Sequence, residues 1–221
     1  MHRSHLIAEL LRLLAAGLLL ISFAMLSRRR TQRLITLYAW QGAILFLSTC
    51  LVAYDAGLTE LYYSAALTLL LKVITLPWIL HRLIRRLGAQ WDSEQLVNIP
   101  VTMLVGLALV IFAFGLAQPI SMLATTITRH TIGIALAVIL LSFLMMITRR
   151  KAVTQVVGFL AMENGLFFAA TSATYGMPMV IELGIALDML VGVFILGIFF
   201  FQIREQFDSL DLHHLESLRE D

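Results

Sequence analysis

Four ionisable residues lie inside long apolar stretches of this sequence, where a charge is costly. Glu163, Asp188 and Lys72 each fall near the middle of such a stretch, and Glu182 lies nearer one end. A charged side chain at the centre of a bilayer costs about 2.5–3.5 kcal/mol on insertion scales, and such residues commonly mark ion or proton paths. These four residues are therefore the candidates for protonation chemistry.

Proton relay is the chemistry that these residue types support. A desolvated carboxyl keeps its proton unless a cation lies near, and a desolvated lysine becomes neutral or pairs with an acid. We predict that Glu163 and Asp188 are relay sites, with Lys72 and Glu182 as further candidates. The alternative is structural: a buried acid makes one interhelical hydrogen bond, and Lys72 snorkels to the surface or holds a static ion pair.

Small and amide side chains are predicted to support these acids. Gly184 and Gly192 share a helical face with Asp188 and would let a neighbouring helix approach closely at its level. Gln155 lies two turns from Glu163 on the same face, where it would hold a water molecule. The predicted site thus combines acids with close packing and polar support.

Long apolar runs make up most of the chain and predict a membrane protein. Of its 221 residues, 60% are hydrophobic and 14% are charged, whereas about a quarter of an average soluble domain is charged. A run of about 20 apolar residues crosses the hydrocarbon layer as a helix. We therefore predict an all-α, polytopic membrane helical bundle of about seven transmembrane helices. The runs are roughly 6–26, 34–54, 61–80, 99–118, 131–148, 152–174 and 179–201.

The distribution of basic residues predicts the orientation of the chain. If the chain crosses seven times, most of them fall on one side: Arg28, Arg29, Arg30, Arg33, Arg82, Arg85, Arg86, Arg149, Arg150, Lys151, Arg204 and Arg219. The other side has only Arg3, Arg12 and Arg129. Because cytoplasmic connections are rich in Lys and Arg, we predict that the N-terminus lies outside and the C-terminus inside.

Two connections are too long to be simple turns. Residues 87–98 join the third and fourth spans, and residues 119–130, which open at Pro119, join the fourth and fifth. Each is predicted either to lie along the membrane surface or to form an ordered polar loop. The tail, residues 202–221, is mixed in charge and is predicted to form a short surface helix.

The sequence offers no visible set of ligands for a redox cofactor or a metal ion. Its one cysteine, Cys50, lies alone in an apolar run, and none of the six histidines approaches a cysteine cluster. Haem, iron–sulfur and nickel sites need such ligands. We therefore expect no cofactor, no metal, no catalytic residue and no nucleic-acid partner for this chain.

The last three spans resemble the three-helix K subunit of respiratory complex I. That subunit's pattern is two arginines, a helix reading roughly Gly-Leu-Glu-Ile-Met-x-Asn-Ala, and a helix with Glu-x-x-x-Gly. After Arg149-Arg150, this sequence has Gly158 and Asn164 at the family's separation, and then Asp188-x-x-x-Gly192. The resemblance implies that the second acid of the pattern is Asp188.

The first acid departs from that pattern. Leu160 occupies the family position, and the acid, Glu163, follows three residues later. Its carboxyl stays on nearly the same helical face, about 4.5 Å further along the axis. Either the proton site is shifted, and the resemblance then implies that Glu163 and Asp188 belong to a membrane-centred, proton-conducting axis, or Glu163 is not the counterpart of the family's first acid.

With four further spans in front of this module, the chain is similar to component E of hydrogenase-4, a membrane subunit of group 4 energy-conserving hydrogenases and formate hydrogenlyases. The resemblance is specific over residues 145–205, and over residues 1–118 it concerns length and span count. It implies an N-terminal four-helix membrane region, 1–118, and a K-subunit-like module with a short cytoplasmic tail, 119–221. It also implies a multi-pass protein of a bacterial or archaeal cytoplasmic membrane.

The function implied by this resemblance is that of a non-catalytic subunit in an oxidoreductase complex that couples hydrogen chemistry to proton or sodium movement. Its partners would be antiporter-like subunits, the subunit that anchors the soluble redox arm, and the lipid bilayer, with Arg149 and Arg150 as candidate contacts. Two alternatives stay open. One is a subunit of a multisubunit cation/proton antiporter without redox partners, and the other is a structural spacer whose acids serve packing.

Overall fold

The computed structural model describes residues 2–86, 97–123 and 131–174, which are helical apart from short connections. The elements are α1 (His2–Ser27), α2 (Thr31–Ala56), α3 (Glu60–Thr68), a π-helical segment (Leu69–Thr75), α4 (Leu76–Arg86), α5 (Ile99–Leu123), α6 (Thr131–Thr148) and α7 (Ala152–Thr174). α3, the π-helical segment and α4 follow one another without a break and form one long helix.

Six helices of the described part are long and apolar enough to cross a membrane. They agree with the first six predicted spans to within a few residues, and the long helix from Glu60 to Arg85 is the third of them. The all-α membrane bundle is therefore confirmed. The predicted seventh span, 179–201, lies outside the described residues, so the number of crossings and the orientation stay predictions.

The helices share a core to which sequence-distant spans contribute. α1 packs on α2 and α6, α2 packs on α7 and the π-helical segment, and α6 also contacts α5 and α7. The largest apolar cluster includes Met25, Tyr38, Leu80, Leu141 and Leu160, each from a different helix. Because lipid tails are as apolar as leucine, close packing rather than exclusion of water holds such a bundle together.

Glycines provide the closest approaches between these helices. A Cβ added at Gly158 of α7 would lie 2.9 Å from Cγ of Met146 and 3.3 Å from backbone atoms of α6. A Cβ added at Gly42 of α2 would lie 3.3 Å from both Cβ and the carbonyl oxygen of Lys72. The backbones of α7 and α6, and of α2 and the π-helical segment, therefore meet where a side chain has no room.

The long third helix changes its winding around Lys72. Pro77 lacks the N–H that an α-helix uses to bond the carbonyl four residues back. Just before it, the amide of Leu76 donates to the carbonyl of Leu71, five residues back, as in a π-helix. The proline is thus accommodated by a π-helical segment that contains Lys72.

The prediction that a loop begins at Pro119 was wrong. α5 continues through Pro119 and ends at Leu123. The proline is exposed on the helix surface, and membrane helices tolerate proline because neighbouring groups and local adjustments satisfy the freed carbonyl. Residues 124–130 and 87–96 lie outside the described part, so a position along the membrane surface stays a prediction for both.

One end of the bundle gathers the described basic connections. The guanidinium of Arg149 donates to the carbonyl oxygens of Met25, Leu26 and Arg28 at 3.2, 3.0 and 2.7 Å. A helix end leaves such carbonyls without intrahelical partners, so Arg149 caps α1. Ile84 of α4 packs in the same apolar cluster as Met25 and Leu26, which brings the end of α4 to this end of the bundle.

Arg149 is an internal residue, so the expectation that it contacts neighbouring subunits does not fit its position in the bundle. The residue is 1% exposed. Burial lowers the pKa of Arg149 to about 10, which still leaves it charged at neutral pH. Its hydrogen bonds to three carbonyls compensate that buried charge.

Candidate functional site

Lys72 and Glu163 form a buried ion pair. Nζ of Lys72 lies 2.7 Å from Oε1 of Glu163, and the two side chains are 8% and 11% exposed. Lys72 lies at the middle of the long helix Glu60–Arg85, and Glu163 lies at the middle of α7. The opposite charges therefore meet about halfway along two helices that are suited to cross a membrane.

Local sequence positions both members of the pair. Lys72 lies in the π-helical segment, where the wider turn shifts the side-chain register relative to an α-helix, and such segments are frequent at functional sites. The missing side chain of Gly42 lets α2 contact the backbone of Lys72 directly. On α7, Glu163 shares its inward face with Leu160 and Phe167, which lie three and four residues away and are buried.

An aromatic ring also contacts the ammonium group. Nζ of Lys72 lies 4.6 Å from the centroid of Phe167, one helical turn after Glu163. A desolvated cation–π contact contributes about 2 kcal/mol. The carboxylate and the ring, both supplied by α7, therefore both bind the ammonium group.

Tyr38 of α2 brings a phenol to the same region. It is fully buried in the cluster that includes Leu160 and Ala161, which lie three and two residues before Glu163 on α7. Its hydroxyl has no hydrogen-bond partner among the described residues. Buried tyrosines usually find a partner for this group, so the hydroxyl is a donor and acceptor that packing does not use.

A chain of polar side chains starts next to the ion pair and crosses to α1. Nδ2 of Asn164 donates to Oε1 of Gln41 at 3.3 Å, and Nε2 of Gln41 donates to Oγ of Ser22 at 3.0 Å. Both amides are fully buried, and Ser22 is 3% exposed. Oδ1 of Asn164 has no partner in the described part of the chain. Three helices, α1, α2 and α7, thus share one polar layer.

This arrangement can hold a proton in two ways. A single proton can lie on the amine, which gives an ammonium and a carboxylate, or on the carboxyl group, which gives two neutral groups. One further proton would neutralise the Glu163 carboxylate and leave the Lys72 cation buried without a counter-charge, which costs several kcal/mol. Neutralising one member of the pair is therefore costly as long as the other stays charged.

The described structure brings Lys72, Glu163 and Asn164 together and uses Gln155 elsewhere. Nε2 of Gln155 donates to the carbonyl oxygen of Arg149 at 2.8 Å, so this amide is bound at the turn before α7. That Gln155 holds a water molecule stays a prediction. The other predicted site residues lie outside the described residues: Asp188, Glu182, Gly184 and Gly192.

Sequence reasoning missed Gln41, Tyr38 and Phe167. Gln41 carried a usable signal, since an amide beside a glycine in the middle of an apolar run needs a hydrogen-bond partner. Tyr38 and Phe167 carried none, because buried aromatics at helical spacing are ordinary core residues. Among the described residues, no group of three or more His, Cys, Asp or Glu side chains could hold a metal ion.

Similarity to known proteins extends over nearly the whole chain. The chain is 34% identical over 207 residues to the uncharacterized protein Rv0085 of Mycobacterium tuberculosis, and the matched region covers 93% of this chain and 94% of that protein. It is 22% identical over 205 residues to hydrogenase-4 component E of Escherichia coli (strain K12) and of Shigella flexneri, with 92% and 95% covered. No protein-family model matches the chain, and no solved structure matches it significantly.

Proposed function

We propose that this chain, which belongs to the same protein family as Rv0085 of Mycobacterium tuberculosis, is a non-catalytic membrane subunit of a proton-coupled hydrogenase-like complex. Distant homology to hydrogenase-4 component E over most of the chain supports membership of a multisubunit membrane hydrogenase assembly. The helices that are suited to cross a membrane fit such a subunit. On this proposal, the chain contributes buried carboxyl groups to an ion path and carries no redox site.

The buried Lys72–Glu163 pair is the observation that carries the ion-path part of the proposal. A buried ion pair contributes little to stability compared with apolar side chains of similar volume, so packing alone does not favour it. Asn164 follows Glu163 directly on α7, and the buried Tyr38, whose hydroxyl has no partner among the described residues, packs in the cluster of Leu160, one turn before Glu163. Protonatable groups with polar neighbours in low-dielectric surroundings are what a relay requires.

The proposed mechanism couples the charge of Glu163 to the position of Lys72. With the carboxylate ionised, the ammonium group stays bound to it at 2.7 Å. When a proton reaches Glu163, the attraction is lost, and Lys72 moves toward another acid or releases a proton. Asp188, in the predicted span after α7, is the proposed next station. Glu182 is a further candidate nearer the end of that span.

The proposed partners follow from the homology. They are the antiporter-like subunits and the subunit that anchors the soluble redox arm, in a bacterial or archaeal cytoplasmic membrane. The K-subunit-like module, residues 119–221, would carry Glu163 and Asp188 at their interface. Residues 1–118 would supply Lys72 and the polar layer from α1 and α2.

Co-purification in mild detergent tests the complex. The tagged full-length chain, isolated from membranes of its native host, is expected to bring hydrogenase and iron–sulfur subunits with it. Recovery of antiporter subunits alone would contradict the hydrogenase assignment and support the antiporter alternative. The same preparation defines the normal subunit composition against which variants are compared.

Charge-removing variants test the ion path. Glu163→Gln and Asp188→Asn are expected to leave subunit composition unchanged and to lower proton translocation at least tenfold, measured as acidification or sodium uptake in membrane vesicles. Glu60→Gln is the matched control, because Glu60 is exposed at the start of α3. Normal translocation in both variants would refute the relay. Because Glu163→Gln leaves Lys72 buried without a counter-charge, Lys72→Met/Glu163→Gln is measured beside it. Parallel loss of assembly and translocation in this double variant and in Asp188→Asn would show instead that the acids serve packing.

A further inference from the structure

A basic pocket lies on the exposed side of α4. This open cavity of about 560 Å³ is lined, among the described residues, by Pro77, Trp78, His81, Arg82 and Arg85. Both arginines are exposed, and the segment Leu76–Arg86 contains no acidic residue. The pocket therefore gathers positive charge at the end of the bundle where the basic connections meet.

The groups in the pocket are suited to an anion. The guanidinium carbon of Arg82 lies 5.2 Å from the centroid of the Trp78 ring, so the indole supports the guanidinium plane by a cation–π contact. Nδ1 of His81 lies 2.9 Å from the carbonyl oxygen of Pro77. A carbonyl only accepts, so Nδ1 carries the hydrogen, and this bond fixes the imidazole ring on the first turn of α4. One guanidinium group can donate two parallel hydrogen bonds to two oxygens of a phosphate.

An exposed apolar stripe leads from the middle of the long helix to this pocket. Leu70, Ile74 and Trp78 are 56%, 56% and 59% exposed and follow one another at intervals of four residues. Arg82 continues the same spacing. A molecule seated in the pocket would therefore have a polar end at the arginines and an apolar part along the stripe.

We propose that the basic pocket and the apolar stripe together bind one anionic phospholipid, with its phosphate at Arg82 and Arg85 and an acyl chain along Leu70 and Ile74. Basic pockets at the ends of membrane helices bind anionic headgroups, and tryptophan prefers the interface between headgroups and hydrocarbon. The stripe favours a lipid over a free phosphate ion, which would leave it uncovered. This inference does not depend on the proposed ion path.

Native mass spectrometry of the full-length chain tests this site. The protein is released from nanodiscs that contain equal amounts of phosphatidylcholine and phosphatidylglycerol, and the retained lipids are counted. The wild-type chain is expected to retain one phosphatidylglycerol in preference to phosphatidylcholine. Arg82→Gln/Arg85→Gln should lower that preference about 25-fold, because each basic residue near an anionic surface contributes about fivefold. Arg33→Gln, exposed at the same end of the bundle on α2 but outside the pocket, should lower it by no more than the roughly fivefold effect of one general surface charge.

The remaining arms distinguish the other possible occupants. Inorganic phosphate added in excess should not displace the retained phosphatidylglycerol, and displacement would show an anion site without lipid specificity. In the intact complex, a photoreactive amino acid at position 74 should crosslink to lipid, and a crosslink to a neighbouring subunit would assign the surface to protein contact. Equal retention by the wild type and the double variant would also overturn the proposal.

Discussion

Replacing one member of the Lys72–Glu163 pair has a different effect on the stability of the protein from replacing both. Removing one member leaves a buried charge without compensation, which costs about 3–5 kcal/mol. Replacing both members by apolar side chains of similar volume removes the desolvation cost together with the attraction, and is often neutral or stabilising.

Lys72→Met is expected to lower the free energy of unfolding by about 3 kcal/mol, because the Glu163 carboxylate stays buried at 11% side-chain exposure. Lys72→Met/Glu163→Leu should recover most of that loss. Denaturant or thermal unfolding of the purified chain in detergent measures both effects, and the coupling follows from the double-mutant cycle.

The control for this cycle is Lys151→Met. Lys151 lies at the basic end, and its described contacts are hydrogen bonds to its backbone carbonyl oxygen, which the substitution retains. It should therefore change the unfolding free energy by less than about 0.5 kcal/mol. A double variant as unstable as the sum of its two single variants would show that the two side chains do not interact.

The sequence predicted the members of the site better than their contacts. Lys72 and Glu163 could be singled out because charged groups in an apolar run are costly wherever the run packs, and Asn164 was singled out through the resemblance to the K subunit. The pairing of Lys72 with Glu163 could not be predicted, since it depends on which helices are neighbours and on the π-helical register. Gln41 was missed because the search followed charges, although an amide is also a costly group in hydrocarbon.

Helix contacts in this bundle depend on positions where a side chain is absent. Gly158 contacts backbone atoms of α6, which cannot shift as a flexible side chain can. Gly115 of α5, in contrast, has no atom within 4 Å of an added Cβ. The same substitution at these two positions therefore separates packing from the intrinsic helix preference of alanine.

Gly158→Ala is expected to lower the free energy of unfolding by about 1–3 kcal/mol, as overpacking does in other cores. Gly115→Ala should cause no loss and a gain of up to about 1 kcal/mol, since alanine favours a helix over glycine. Unfolding of the two variants in the same detergent compares them directly. Equal stability would contradict the close contact between α6 and α7.

Helix bounds were predictable wherever the length of an apolar run determined them. A run of about 20 apolar residues has few structures open to it in a bilayer, which is why α1, α2, α6 and α7 lie where expected. The extension of α5 past Pro119 and the π-helical segment before Pro77 were not predictable. Both depend on how the freed carbonyl groups are satisfied locally, and the sequence does not specify that.

At the scale of the whole molecule, the described connections give the bundle two different ends. Arg149 binds the end of α1, and α4 finishes beside them with Arg82 and Arg85. The opposite end includes Asp55, in the last turn of α2, and Leu58, in the short connection that follows. The positive-inside rule predicts that the basic end faces the cytoplasm, and the proposed lipid site and the proposed complex both use that orientation.

Cysteine labelling measures the orientation with little disturbance, because Cys50 is the one cysteine in the sequence and Cys50→Ala removes it. In that background, Leu58→Cys is expected to react with a membrane-impermeant maleimide in intact spheroplasts, since Leu58 is 45% exposed at the end of the bundle opposite the basic end. Gln32→Cys, exposed at the basic end, should react only after the membrane is disrupted. The two variants control for each other's reactivity in disrupted membranes. The reverse pattern would mean that the arginine clusters face outward, and a hydrogenase arm in the cytoplasm could not then dock on the basic end.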